Sequence, residues 1–260
     1  MKPSDELLVD AAAQRLTLTS VEGIVRVWQD RARAAKAWQS WVASRPPSSV
    51  TGLTPPGRTP ARFRFLDRIR GTVGSSSAGM TKGVRTATPF DETPPNITSR
   101  IWLDRPTRWR VETTADEGQA TGVLVINGGR WDFAVERRDH RGAETQEAGD
   151  TSPLTLHASV AAMIDADSIL GKLTLEPAGM VVHAGRNCHR LIGLLIDPDD
   201  FPVWPADSYD LLLDSLMGIL LRFEARSGGA AYARAEFTDV TSGRTIPADV
   251  FEFGTSPKSL

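Results

Sequence analysis

Residues 207 to 253 constrain this chain more than any other stretch. They read as a meander of four strands, Ser208–Asp214, Ile219–Arg226, Ala230–Asp239 and Ile246–Phe253, separated by short turns. Ile219, Leu221 and Phe223 alternate with Leu220, Arg222 and Glu224, so one face is apolar and the other mostly charged. Side chains alternate across a strand with period two, and such a pattern marks an antiparallel sheet with one dry side. That dry side has to be covered, either by the chain's own helices or by a bound apolar molecule.

The remaining segments fill in the architecture. Residues 4 to 44 read as helix, with a break at Thr17–Thr19 and a capping-box pair, Thr19 and Glu22, opening a second helix. Trp28, Ala35, Trp38 and Val42 then recur at helical spacing as a packing face. Residues 45 to 60 hold five prolines and two glycines and predict a linker. Residues 61 to 70 alternate apolar and basic, as a half-buried strand does, and residues 71 to 97 read as a long loop with a short strand near Val84. Strands are predicted at Thr98–Leu103 and Arg108–Thr114. A hairpin follows, Ala120–Ile126 with Trp131–Glu136, across Asn127-Gly128-Gly129. Residues 137 to 151 read as an exposed loop. Ser152-Pro153 reads as the start of a helix, and a second short helix runs from Asp165 or Asp167 to Leu173. Met180–His183 and Cys188–Ile196 are strands around Gly185-Arg186, and Asp197–Pro205 is an acidic loop. Strands and helices do not alternate regularly, which argues against a parallel sheet and predicts an α+β protein with a curled antiparallel sheet.

Composition narrows the function classes. Over 260 residues the net charge is −2, so a polyanion such as nucleic acid is not an expected partner. The lone Cys188 forms no internal disulfide and builds no metal cluster, and no cofactor is expected. No window approaches the roughly 20 apolar residues of a membrane span. The amino terminus, Met1-Lys-Pro-Ser-Asp-Glu, lacks the apolar run of a secretory signal. The expected location is therefore cytoplasmic, or extracytoplasmic if further residues precede it.

The stretch Arg100-x-Trp102-x-x-x-Pro106-x-x-Trp109-Arg-Val-Glu112, followed by Val-Ile-Asn127-Gly128-Gly-Arg-Trp131, resembles the lipoprotein-carrier superfamily of LolA, LolB and RseB/MucB type. Asp167-Ser-Ile-Leu-Gly-Lys-Leu ahead of Ala184-Gly-Arg186-Asn-Cys188-His-Arg190-Leu extends the likeness. Asp207-Ser-Tyr209, Asp214-Ser-Leu-Met-Gly218, Arg222-Phe-Glu224, Glu236-Phe-Thr-Asp-Val240 and Phe251-Glu-Phe253 carry it to the end. The resemblance covers roughly residues 61 to 253. It implies an unclosed half-barrel around helices, with a cavity for acyl chains or another apolar partner. The organisation expected is a helical segment over 1–45, a linker over 46–60 and the half-barrel domain over 61–260. The family works outside the cytoplasm, a point on which this chain departs from it.

Parity assembles a candidate ligand-binding surface from Trp109, Val111, Val123, Val125, Trp131, Phe133, Ile219, Leu221, Phe223, Ala233, Ala235 and Phe237. The small alanines leave two readings open, close packing against a helix or room for a ligand. The leading expectation is a non-enzymatic protein that holds an apolar or amphipathic, lipid-like small molecule in the concave face. One alternative is a small-molecule enzyme using His183, His189 or Asp165 for proton transfer. The other is a regulatory protein-interaction module of RseB type, which predicts an exposed apolar patch. Cys188 and His189, adjacent on a strand, point to opposite faces and form no dyad. Asp197, Asp199 and Asp200 lack the glycine and distal glutamate of a calcium loop. Arg222, Glu224 and Arg226 across from Arg234 and Glu236 read as charge pairs on the wet side. No catalytic residue and no metal ligand is predicted.

Overall fold

The computed structural model describes residues 4–44, 96–105, 107–115, 120–127, 130–137, 140–147 and 158–252. The linker at 46–60, the strand at 61–70 and the segment around Val84 lie outside them.

Two helices, α1 (Ser4–Thr17) and α2 (Arg31–Ala43), flank strand β1 (Ser20–Gln29). Strands β2 (Asn96–Asp104), β3 (Arg108–Ala115), β4 (Ala120–Asn127), β5 (Arg130–Arg137) and β6 (His140–Glu147) form one meander. Short helices α3 (Ala158–Ile164) and α4 (Asp167–Leu170) precede a second: β7 (Leu173–His183), β8 (Arg186–Leu195), β9 (Ser208–Asp214), β10 (Leu220–Ser227) and β11 (Ala230–Ser242). All eleven strands lie in one sheet, in the order β6-β5-β4-β3-β2-β1-β11-β10-β9-β8-β7. Every pairing is antiparallel and the end strands β6 and β7 do not pair, so the protein is an α+β, open half-barrel. The sheet curls strongly. His183, at the tip of the β7–β8 hairpin, reaches the carbonyl of Phe237 on β11 at 2.9 Å, although three strands separate β7 from β11 in the sheet.

The second helix expected from Thr19 begins only at Arg31, because residues 20 to 29 form β1. Val21 and Val25 face the core from β1, and its edges pair with β2 and β11. The amino-terminal segment therefore supplies the strand that joins the two meanders, and Trp28 sits on β1, apart from Trp38 on α2. A hydroxyl followed three residues later by glutamate opens a helix only when the next residues have nowhere better to go. Here two unpaired strand edges compete, and the β-branched Val21, Ile24, Val25 and Val27 prefer them. The cap of α2 is instead Asp30, whose carboxylate accepts from the amide of Arg33 at 3.1 Å.

Two further expectations change. Residues 137 to 151 are not all loop, since His140–Glu147 pairs with β5 as an edge strand. Residues 246 to 252 do not form a strand. Ala248–Phe251 is a 3-10 turn, and Ile246, Val250 and Phe251 cover Trp102 on the outer side of the sheet. Arg110 on β3 anchors this cover by donating to the carbonyls of Val250 at 3.1 Å and Glu252 at 3.0 Å.

Helix α1 closes one end of the half-barrel over the β9–β10 turn. Asp214 shapes that turn by accepting from the amides of Leu216 and Met217 at 2.8 and 2.7 Å. Gly218 follows at φ +66°, and a Cβ there would lie 2.1 Å from the carbonyl oxygen of Ala11. Only glycine allows both the left-handed backbone and this approach. Arg15 then donates to the Gly218 carbonyl at 2.7 Å and Gln14 to that of Ser215 at 2.9 Å.

Candidate binding site

The concave face is where the sequence places a ligand, and the register decides which residues belong to it. Trp109 and Val111 do, opposite Leu103 and Ile101 on β2. On β4 the face belongs to Leu124 and Ile126, which pair with Val111 and Trp109. Val123 and Val125 pair with Glu112 and Arg110 on the outer side, which corrects the expectation for both. The run Val123-Leu-Val-Ile126 is apolar throughout, so alternation carries no phase there and only the partner strand sets it. Trp131 and Phe133 stand opposite Ile126 and Leu124 in the register.

On β11, Ala233, Ala235 and Phe237 share the inner face opposite Ala225, Phe223 and Val25. On β10 a bulge intervenes. Leu220 pairs with Leu213 and Arg222 with Leu212, so Leu221 is the extra residue. Phe223 shares its face with Leu220, so the parity drawn from Ile219 through Leu221 is broken there. All four are nonetheless buried.

The chain fills this hollow itself among the described residues. Val160, Met163 and Ile164 of α3, Ile169 and Leu170 of α4, and Leu7 and Ala11 of α1 join the strands in one apolar cluster. Phe223 is stacked between Trp204 and Tyr209, with ring centroids at 5.3 and 5.4 Å. The Tyr209 hydroxyl donates to the carbonyl of Trp204 at 2.7 Å, and Tyr232 donates to that of Pro205. The buried phenols are thereby satisfied. The small Ala225, Ala233 and Ala235 let helix and ring approach the sheet, the packing reading of the two.

The outer face carries the charge. Asp210 on β9 is 1% exposed and accepts from Arg190 at 2.7 Å and Arg222 at 3.0 Å, with Arg226 at 3.5 Å. Burial raises the Asp210 pKa, but the hydrogen bond and charge of Arg190 and Arg222 outweigh it and hold the carboxyl below its ordinary range. Glu224 on β10 pairs with Arg226 at 2.7 Å and Arg234 at 2.6 Å. The charge pairs expected on β10 and β11 are therefore present. Asp210 and Arg190 extend them, and an aspartate inside the apolar run Tyr209–Leu213 was the signal for it.

Further along the same face, β2, β1 and β11 bring six side chains into two cross-strand rows. Thr98, Arg26 and Glu236 form one row and Asn96, Trp28 and Arg234 the next. They line, with Val27 and Ile97, a cleft of about 390 Å³. Trp28 is 39% exposed.

The other candidates separate. Ala184 and Gly185, at φ 49° and 72°, turn the β7–β8 hairpin, so His183 and His189 lie on different strands. His183 is engaged with Phe237 and Asp165 is exposed; the three polar groups proposed for proton transfer do not converge. Cys188 is buried, and burial followed by the nearby Asp214 charge pushes its pKa up to about 11, the opposite of a reactive thiolate. Asp197 accepts from the amide of Asp199 at 2.8 Å within an ordinary exposed turn. No group of three or more His, Cys, Asp or Glu side chains among the described residues is placed to hold a metal ion. No helix among them is long and apolar enough to cross a membrane.

No protein-family model matches the chain, and no curated protein matches it in sequence. Solved structures do. MucB aligns with 96% of this chain at 15% identity and a TM-score of 0.51, and this chain spans 62% of MucB's length. The Pseudomonas aeruginosa MucA/MucB complex aligns at 15% identity over 96% of this chain and 60% of that one, with a TM-score of 0.48. The Mycobacterium tuberculosis lipoprotein LppX aligns over 95% of this chain and all of its own length, at 12% identity and a TM-score of 0.44. The chain has a LolA/LolB/RseB-like fold.

Proposed function

We propose that this chain is a non-catalytic interaction module that binds another polypeptide through the apolar surface of its β7–β8 edge. One contrast carries the reading. Among the described residues α1, α3 and α4 pack over the concave face, while Met180 and Val182, neighbours on one face of the edge strand β7, are 55% and 72% exposed. Single exposed apolar residues are ordinary, but two large ones side by side on a free edge strand mark a contact surface. Pro177 and the bulge before Gly179 interrupt the ladder along β7, which blunts the edge against indiscriminate strand addition. Recognition then falls to side chains. MucB, whose fold is similar, has been crystallised with MucA; the reading for this chain rests on its own surface.

A photo-crosslinking residue at Val182, introduced in cells, tests it. A discrete polypeptide adduct is expected, absent from a control at Thr114 and lost when Met180→Glu is added. No adduct, or the same adducts from the control, would remove the proposal.

A second reading keeps an apolar ligand in the concave face, admitted when α3 and α4 swing away. Its supporting observation is the slight hold on α4, four residues long and tethered through the exposed Asp167 to Arg15. Solvent extraction of the purified protein followed by mass spectrometry decides it: a stoichiometric acyl or other apolar compound supports it, and an empty extract counts against it.

A further inference from the structure

We propose that the outer-face cleft between β2, β1 and β11 is a binding site for a small organic carboxylate with a planar apolar body, a role distinct from docking at β7–β8. The argument begins with charge. The outer face from β8 to β1 carries Arg190, Arg222, Arg226, Arg234 and Arg26. The carboxylates on that face are Asp210, Glu224, Glu236, Asp239 and Glu22, so the face as a whole is balanced.

The pairing leaves one guanidinium over at the cleft. Asp210 and Glu224 are each bridged by at least two guanidinium groups, and Arg234 reaches both Glu224 and, at 3.8 Å, Glu236. Arg26 has no carboxylate within ion-pair distance among the described residues, although the register sets it directly opposite Glu236. A guanidinium offers a planar fork of donors matched to a carboxylate. Beside it in the same strand, two residues on and therefore on the same face, Trp28 offers a partly exposed indole. Thr98 and Asn96 add hydroxyl and amide groups from β2, on the side away from Glu236. One wall is therefore cationic, one aromatic and one neutral polar. The volume of about 390 Å³ lies in the range of small-molecule pockets, enough for a ring with a short acidic tail. A cation has no place here, since Glu236 already faces Arg234 and Arg26 remains over.

The test uses the full chain and ligand-observed saturation-transfer NMR with 3-phenylpropionate and its neutral amide. The carboxylate is expected to bind roughly tenfold more tightly than the amide, the scale of one charge-assisted pair at a half-open site. Arg26→Gln is expected to bring the two ligands to equal affinity, and Trp28→Ala to weaken both by a similar factor. Both residues are exposed, and unchanged circular dichroism of each variant separates loss of the site from loss of the fold. Equal binding of acid and amide to the unaltered protein, an acid preference that survives Arg26→Gln, or no binding of the acid at about 5 mM, far above the usual range of small-ligand affinities, each overturns the proposal.

Discussion

Replacing Gly218 by alanine tests whether α1 is seated on the half-barrel as tightly as the geometry requires. Two costs are involved and they can be separated. The first is backbone strain, because an L-residue at φ +66° costs about 1 kcal/mol. The second is steric. The new Cβ would lie 2.1 Å from the Ala11 carbonyl oxygen, well inside the 3.0 Å that real Cβ atoms respect, and the obstacle is backbone that cannot rotate away. Helix α1 must lift. Lifting exposes Leu7, worth about 1.5–3 kcal/mol when buried. It also loosens the buried Arg15 bond to the Gly218 carbonyl, a charged hydrogen bond worth about 1.5–3 kcal/mol. Gly228 provides the control, since it has φ +57° and nothing within 4 Å of its virtual Cβ. Gly228→Ala is expected to cost about 1 kcal/mol and Gly218→Ala about 3–5 kcal/mol, the sum of strain and partial undocking. Urea unfolding of both variants, followed by far-ultraviolet circular dichroism, measures the gap. A gap below about 0.5 kcal/mol, the scatter of additivity between independent sites, would refute the tight seating of α1.

Other consequences follow from the core and the charged face. Phe223→Ala removes a ring stacked on two others at the centre of the cluster and is expected to cost about 3–5 kcal/mol in chemical denaturation; a loss under 1 kcal/mol would mean the hollow is not filled as described. Asp210 has a depressed pKa, so its stabilisation is present above the ordinary carboxylate pKa of about 3.9 and is lost as pH falls through the lower folded value. Asp210→Asn should therefore cost about 2 kcal/mol at pH 7, discounted for the partly exposed arginines, and flatten the stability profile below about pH 4; an unchanged acid limb would contradict the pairing. Cys188 should react with iodoacetamide at pH 8 at least about 100-fold more slowly than a free thiol until the protein is unfolded, and rapid native labelling would show that it is neither buried nor protonated.

Much of this molecule was legible before any coordinates. The alternation in residues 208 to 239, the hairpin about Asn127 and the acidic loop after Ile196 are local patterns, and backbone geometry enforces them wherever they occur. The turn residues Asp214 and Gly218 were legible for the same reason, as were the charge pairs of β10 and β11. What the linear pattern could not supply was phase and partnership. Val123 to Ile126 is apolar at every position, and a bulge at Leu221 shifts parity without a mark in the sequence. The identity of β1 depended on two distant edges waiting to be paired, which no capping box can report. Whether the alanines of β11 face a ligand or a helix was likewise undecidable from spacing, since both demand small side chains. The sequence by itself determined that one face of a curled antiparallel sheet would be dry. Only the tertiary structure decided that α1, α3 and α4 cover it, because burial is a property of what comes to lie against a surface, and those helices are brought there by contacts far apart in the chain.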